Sequence, residues 1–205
     1  IVNKNLPNIG GDFEINFDGN EILKKTAKKF KINYNKKYNY YTDCGRSAIF
    51  LALKILKKKN KNLKALLPFY CCPSIIQPFK EYKIKILFYN MGKDLNSPSN
   101  LSKNTDNTIL LFIHYFGKKN SSMLKYICEQ KKKSKNFFVI EDLVQTCFSR
   151  LYRKYVGDFL VTSFRKFLPV PDGAILATNY KYNKNFAISN FDFLSKRIIS
   201  KALRT

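Results

Sequence analysis

Two reactive side chains, those of Asp142 and Lys166, each follow an apolar segment that predicts a buried strand. Residues 137–140 (FFVI) precede the acid, and residues 159–162 (FLVT) lead into the segment that contains the lysine. Ligands of open α/β sheets bind at the carboxyl ends of the strands, so we expect the carboxylate and the amine to lie close together. Such a pair suits a cofactor that needs an anion at one end and forms an imine at the other.

Pyridoxal phosphate (PLP) is a cofactor of this kind, although neither residue is specific when taken alone. The chain has 32 lysines, most of which are expected on the surface, and an acid at a strand end is often a cap or a surface ion pair. Lys166 differs because it lies between an apolar strand and the turn sequence Pro-Val-Pro-Asp-Gly, which ends at Gly173. Lysine becomes a nucleophile when it is partly desolvated.

The other candidate site residues also have simple structural explanations. Gly45, Arg46 and Ser47 open the strongest predicted helix, and the free amides of a helix N-terminus bind phosphate, but Ser47 could be a simple helix cap. His114, the single histidine, follows a continuous apolar run and could be structural. The neighbouring Cys71 and Cys72 could bind a metal, but no other cluster of ligands accompanies them, so we predict no metal site.

The net charge of +24 raises the question of nucleic-acid binding. Only six of the 38 basic residues are arginines, and the lysines are scattered, whereas arginine is the usual reader of bases. A compositional bias with a solvated lysine surface is therefore favoured, with attraction of anionic ligands as the alternative. No apolar run approaches the roughly 20 residues of a membrane span, and no signal-peptide pattern opens the chain. With five cysteines and no CxxC pair, we expect a cytoplasmic protein with reduced thiols.

Predicted strands alternate with predicted helices along the chain, which indicates an α/β fold with a mostly parallel sheet flanked by helices. A turn at 6–12 and a loop at 33–39 are predicted near the start. The predicted strands are residues 65–67, 83–89, 108–113, 137–140, 159–162 and 174–178. The predicted helices are residues 21–30, 46–59, a short one after Pro73, 121–132 and 186–203. No linker divides residues 1–205, so we expect one domain, and the helical pattern that breaks off at the end suggests a fragment.

Five segments occur in an order that matters more than any one of them. They are residues 43–48 (DCGRSA), 67–72 (LPFYCC), 114–117 (HYFG), 141–145 (EDLVQ) and 163–174 (SFRKFLPVPDGA). In this order the chain, from about residue 6 to residue 178, resembles the DegT/StrS family of PLP-dependent sugar aminotransferases. The resemblance implies the large, cofactor-binding domain of the aspartate aminotransferase-like fold, known as fold type I, without the small C-terminal domain.

The resemblance also implies roles for the reactive residues. Lys166 would form the Schiff base with PLP and later move protons at the substrate carbon. Asp142 would pair with the pyridine nitrogen, and Gln145 would contact the ring hydroxyl. The helix opening at Gly45, Arg46 and Ser47 would hold the phosphate. Ser163 lies closer to the lysine than in most members, so either Ser163 or Arg165 could reach the phosphate.

Two implied positions stay open. An aromatic residue stacks on the cofactor ring in many members, and here either Cys72 or Tyr70 takes that place. His114 belongs to a turn that matches a loop near the family's cofactor, so it is a candidate for cofactor binding.

The implied reaction is transfer of an amino group to the keto carbon of a nucleotide-linked deoxysugar, with glutamate as the expected donor. The implied enzyme is a homodimer that serves polysaccharide or glycan synthesis. A PLP-dependent sugar dehydratase and a catalytically silent truncated homologue are the alternatives. The dehydratase branch usually has histidine in place of the lysine, which Lys166 argues against.

Overall fold

The computed structural model describes residues 34–146, 155–168, 170–183, 195–196 and 198–200, and a single mixed sheet organises them. The strands are β1 (Tyr38–Thr42), β2 (Lys64–Pro68), β3 (Lys85–Met91), β4 (Pro98–Ser99), β5 (Thr108–Ile113), β6 (Phe137–Asp142), β7 (Phe159–Val161) and β8 (Ala174–Thr178). The helices are α1 (Gly45–Lys59), α2 (Pro73–Glu81) and α3 (Ser121–Lys133).

The sheet has the strand order β1-β8-β7-β6-β5-β2-β3-β4. Strands β3, β2, β5, β6 and β7 run parallel to one another, whereas β8 is antiparallel to both β7 and β1, and β4 is antiparallel to β3. The carboxyl ends of the five parallel strands therefore meet along one edge. This edge is where an open sheet of this kind binds ligands.

The side chains of β5 show how the sheet divides the core into two faces. Ile109, Leu111 and Ile113 pack in the cluster that contains the apolar side of α1, whereas Leu110 and Phe112 pack in the cluster that contains Met123 and Ile127 of α3. Every residue of β5 is buried, as expected for a central parallel strand covered on both sides. We refer to the two sides as the α1 face and the α3 face.

The helices begin and end where local chemistry favours it. Helix α1 has three lysines, Lys57, Lys58 and Lys59, in its last turn, where cations interact favourably with the helix dipole. Proline at the first position of α2 suits a helix start because its missing N–H would be unpaired there. Helix α3 is capped by Asn120, whose side chain accepts a hydrogen bond from the Met123 amide at 3.0 Å.

The predicted α/β class and mostly parallel sheet are confirmed. Strands β5 and β8 match their predicted bounds, and α1, α2 and α3 lie where helices were predicted. The predicted helix at 21–30 and the turn at 6–12 lie outside the described residues, as does most of the predicted helix at 186–203. No helix within the described ranges is long and apolar enough to cross a membrane.

Three sequence predictions were wrong in detail. The loop predicted at 33–39 contains the start of β1, whose alternating burial places it at the sheet edge. Strand β3 begins at Lys85 because Lys83 adopts a positive φ of 52° in the turn after α2. Strand β6 continues two residues beyond the predicted bounds of 137–140, so Asp142 is its last residue.

Candidate active site

A cavity of about 770 Å³ opens at the carboxyl edge of the sheet, on the α1 face. This volume lies within the roughly 300–1,000 Å³ range of small-molecule sites. Residues from the start of α1, the start of α2 and the ends of β5, β6 and β7 line it. Seven of the nine predicted site residues are among these lining residues, namely Gly45, Arg46, Cys72, Asp142, Gln145, Ser163 and Lys166.

Asp142 presents a buried carboxylate to the cavity, with only 4% of the residue exposed. One oxygen, Oδ1, accepts a hydrogen bond from the Val144 amide at 2.8 Å, and the other has no donor among the described residues. Burial raises the pKa of Asp142 to about 6, and the Val144 amide and the nearby His114 oppose this effect. A cationic or N–H group in the cavity would therefore find an oxygen ready to pair with it.

Gln145 has its amide orientation fixed by the neighbouring turn. Its side-chain oxygen accepts a hydrogen bond from the Phe116 amide, and Phe116 adopts a left-handed conformation with φ 51° and ψ 34° to present that amide. Because the oxygen is engaged, the two N–H donors of the Gln145 side chain remain for a ligand. Backbone strain of this kind at a cavity wall is typical of binding sites.

Lys166 lies in a short 3-10 turn, Phe164–Lys166, that follows Ser163 at the end of β7. Gly173 ties this turn to the start of α1, because its carbonyl accepts from the Phe164 amide at 2.9 Å and its own amide donates to the Asp43 carbonyl at 2.7 Å. Gly173 has a φ of +116°, and a Cβ there would lie 3.0 Å from the Phe164 ring. A side chain is thus disfavoured at the residue that joins the lysine segment to α1.

The N-terminus of α1 faces the cavity at Gly45 and Arg46. Cys44 precedes it without a side-chain cap, and the first amides of a helix have no partner within the helix. A Cβ at Gly45 would meet the Val144 and Ser163 side chains at 3.6 and 3.7 Å, so the buried Ser163 lies beside this helix end. Free amides, a hydroxyl and the positive end of the helix dipole together make an anion site.

Arg46 adds a guanidinium to this end of the cavity. Its Nη1 donates to the Gln77 side-chain oxygen at 2.8 Å, and the Gln77 amide in turn donates to Glu81 at 2.7 Å. The two residues of α2 hold the arginine in one orientation, with donors left over for an anionic ligand.

His114 and Ser47, both predicted as cofactor-binding residues, do not line the cavity. His114 is fully buried on the α3 face, where its Nε2 lies 2.8 Å from Glu141 and its Nδ1 accepts from the Asn120 amide at 3.4 Å. Its two nitrogens thus have protein partners, and the side chain serves the packing of β5 against β6. Ser47 lies one residue beyond the exposed start of α1, and its Oγ is 3.4 Å from Cys44 Sγ.

Both candidates for contact with a cofactor ring, Cys72 and Tyr70, line the cavity. The carbonyl of Tyr70 accepts a hydrogen bond from the Tyr115 hydroxyl, and the two rings have centroids 5.8 Å apart. Cys72 precedes the first residue of α2. Among the described residues, no group of three His, Cys, Asp or Glu side chains could hold a metal ion.

Tyr115 and Phe116 are lining residues to which sequence reasoning assigned no role. The signal was present, because both belong to the HYFG segment in which His114 was chosen. His114 was predicted because this turn matches a loop near the family's cofactor, whereas the turn presents the next two residues to the cavity. Burial raises the pKa of the Tyr115 hydroxyl far above its ordinary value, so this group acts as a hydrogen-bond donor, as its contact with Tyr70 shows.

No protein-family model matches the chain, and no curated protein matches it in sequence. Solved structures do match. Two structures of GDP-4-keto-6-deoxymannose-3-dehydratase (ColD), one of a variant with bound GDP-perosamine and one with a trapped PLP-glutamate geminal diamine, are 15% and 17% identical, with TM-scores of 0.57 and 0.56. Each match covers 72% of this chain and 41% of the dehydratase.

Two further matches are to a sugar aminotransferase and to a protein with bound PMP. The sugar aminotransferase CalS13 from Micromonospora echinospora is 15% identical, with a TM-score of 0.55 over 80% of this chain and 45% of that protein. NtdA from Bacillus subtilis, with bound cofactor PMP, is 18% identical, with a TM-score of 0.53 over 81% and 36%. The chain thus spans less than half the length of these proteins. Over that length its fold is that of the PLP-dependent enzymes known as fold type I.

Proposed function

We propose that this chain forms the cofactor-binding part of a PLP-dependent aminotransferase that acts on a nucleotide-linked keto-deoxysugar. One observation carries the proposal: Lys166, Asp142 and the N-terminus of α1 line the same cavity. These three features supply an amine, a buried carboxylate and an anion site, which match the aldehyde, the ring nitrogen and the phosphate of PLP.

Bound in this cavity, PLP would supply a ring that accepts electrons from the substrate carbon. Asp142 would hold the proton on the ring nitrogen, because its second oxygen has no donor among the described residues. Gln145 would donate its side-chain N–H to the ring hydroxyl, since its oxygen is occupied by the Phe116 amide. The α1 amides and Ser163 would hold the phosphate.

Lys166 would have two successive tasks. Its amine would first hold the cofactor covalently, as lysine does with carbonyl groups. Once substrate had displaced it, the same amine would move a proton at the substrate carbon as a general acid and base. The 3-10 turn that carries Lys166 is tied to the α1 N-terminus through Gly173, which keeps the two ends of the site in one arrangement.

The substrate class rests on the solved structures with this fold. They include a dehydratase with bound GDP-perosamine and a sugar aminotransferase, and one carries a PLP-glutamate adduct. We therefore propose a nucleotide-linked keto sugar as acceptor and glutamate as amino donor, in cytoplasmic synthesis of a polysaccharide or glycan by a homodimer. Arg46 has spare donors at the cavity wall for an anionic substrate group.

Sugar dehydration is the second candidate, because ColD has the same fold. Lys166 favours amino transfer, since the dehydratase branch of the family that the sequence resembles usually has histidine at this position. Incubation with glutamate and a nucleotide-linked 4-keto sugar separates the reactions by product mass. An amino group in place of the keto oxygen supports transfer, and loss of a ring hydroxyl without nitrogen gain supports dehydration. A catalytically silent homologue would give neither product.

The cofactor assignment is tested by mixing the purified chain with PLP, reducing it with borohydride and mapping the modified peptide. We expect a visible absorption band that reduction removes, with the stable adduct on Lys166. Lys166→Ala should lose both band and adduct. Lys54→Ala, at an exposed position of α1, is the matched control and should keep them. An adduct that persists in Lys166→Ala would show that the site assignment is wrong.

A further inference from the structure

Cys72 lies in the cavity wall among groups that stabilise a thiolate. It directly precedes α2, a nine-residue helix whose positive end lies next to the sulfur. The Ser74 hydroxyl donates a hydrogen bond to Cys72 Sγ at 3.0 Å, and Lys166 lines the same cavity. Cysteines at helix N-termini and beside lysines are the ones that react at neutral pH.

These contacts lower the pKa of the Cys72 thiol below its ordinary value. The Ser74 hydroxyl is the largest cause, and the Ser74 amide and the charge of Lys166 act in the same direction. Partial burial and the Asp142 carboxylate oppose them. The adjacent Cys71 behaves in the opposite way, because burial raises the pKa of its thiol to about 11. Of this vicinal pair, only Cys72 is both exposed and favoured as the nucleophile.

The space beside Cys72 is shaped for a small polar molecule. Asp142 is buried and directs a carboxylate oxygen without a donor among the described residues into this cavity. Gln145 offers two N–H donors from another wall. A carbonyl compound that enters therefore meets the Cys72 sulfur, the Lys166 side chain and the Gln145 amide donors in one cavity.

We infer that Cys72 is a covalent modification site for α,β-unsaturated carbonyl compounds that enter this cavity. The sulfur forms a bond to the β-carbon, and the electron pair of the carbon–carbon double bond moves to the α-carbon and carbonyl oxygen. Lys166 stabilises the charge on that oxygen. The α-carbon then takes up one proton from water, which replaces the proton that the thiol released, so no oxidant or reductant is needed.

Acrylamide, a small neutral α,β-unsaturated amide, tests the inference because its adduct on each cysteine can be counted by peptide mass spectrometry. Cys128 is the internal control, since it is exposed on α3, far in the fold from the α1 face. Each unit by which a thiol pKa falls raises the thiolate fraction about tenfold and lowers its nucleophilicity about threefold, so the net gain is about threefold. We expect Cys72 to react faster than Cys128 at pH 7.

Two further results belong to the expected outcome. The advantage of Cys72 should shrink at pH 9.5, where ordinary thiols ionise, and Ser74→Ala should slow Cys72 without changing Cys128. Equal rates at Cys72 and Cys128 at pH 7, faster reaction at Cys71, or an unaltered rate in Ser74→Ala would overturn the inference. A melting curve of the Ser74→Ala variant that matches the parent excludes unfolding as the cause. No cofactor is added, so this test fails or succeeds independently of the proposed function.

Discussion

Replacement of Asp142 by asparagine should make the protein more stable at neutral pH. The carboxylate is buried, and burial raises its pKa from 3.8 to about 6 in the folded chain. One pKa unit corresponds to about 1.4 kcal/mol, so the ionised form costs the folded state about 3 kcal/mol at pH 7. Asparagine has nearly the same shape, keeps an oxygen for the Val144 amide and carries no charge.

The pH dependence gives this prediction its sign. Between pH 4 and pH 6 the unfolded chain has released the Asp142 proton while the folded chain still holds it, so the free energy of unfolding falls as the pH rises. Asp142→Asn lacks this titration. The stability difference between variant and parent should therefore grow by about 2–3 kcal/mol from pH 4 to pH 7, with the variant gaining, and then remain constant.

Urea unfolding followed by far-ultraviolet circular dichroism measures this difference, and the method suits a chain without tryptophan. With a slope of about 2–3 kcal/mol per molar urea, the midpoint of the variant relative to the parent should rise by about 1 M between pH 4 and pH 7. Glu129→Gln, at an exposed position of α3, is the control and should show a flat difference. Parallel stability curves for Asp142→Asn and the parent would refute the reasoning. If PLP binds as proposed, Asp142→Asn should bind it more weakly in spite of its higher stability.

Two other substitutions test the support behind the site, and both are measured by the same unfolding assay. Gly157→Ala should lower the free energy of unfolding by about 1–3 kcal/mol, because its Cβ would lie 2.6 Å from the Glu141 Cβ and 2.9 Å from the Phe159 carbonyl oxygen. A stability equal to that of the parent would show that the backbone at Gly157 shifts at little cost. His114→Ala should lower the free energy of unfolding by about 1–3 kcal/mol, because Glu141 loses a buried hydrogen-bond donor. The variant should still form the PLP adduct on Lys166, since His114 does not line the cavity. Loss of the adduct in a folded variant would assign His114 a direct role.

The fold was predictable where burial leaves a clear pattern in the sequence. Strands β5 and β8 are fully buried and read as continuous apolar runs with correct bounds. Strand β1 was missed because its sequence, YNYYT, alternates at a sheet edge and contains mostly tyrosine and asparagine. Its pairing is with β8, more than 130 residues later, and no local pattern contains that information.

The sequence indicates which strand ends carry candidate site residues, but it does not indicate which face of the sheet those residues occupy. His114 and Asp142 both lie at ends of buried parallel strands, and this sequence position made both of them candidates. Side chains alternate along a strand, so Ile113 points to the α1 face and His114 to the α3 face. A strand that is apolar on both sides carries no mark of which face will hold the cavity. Ser47 does not line the cavity for a similar geometric reason, since each residue of a helix is rotated by about 100° from the one before it.

Glu141 and Asp142 show how donor count separates a structural carboxylate from one that awaits a ligand. Both are buried, and as neighbours in β6 they point to opposite faces of the sheet. Glu141 has three donors, His114 and the amides of Val156 and Gly157, at 2.7–2.9 Å. Asp142 has one, and its other oxygen faces a cavity. A buried charge with its hydrogen-bonding capacity filled needs no ligand, whereas one left partly unfilled lowers stability unless a ligand completes it. The destabilisation caused by the buried Asp142 carboxylate is therefore an argument that the cavity binds a ligand, because a cationic ring nitrogen would offset it.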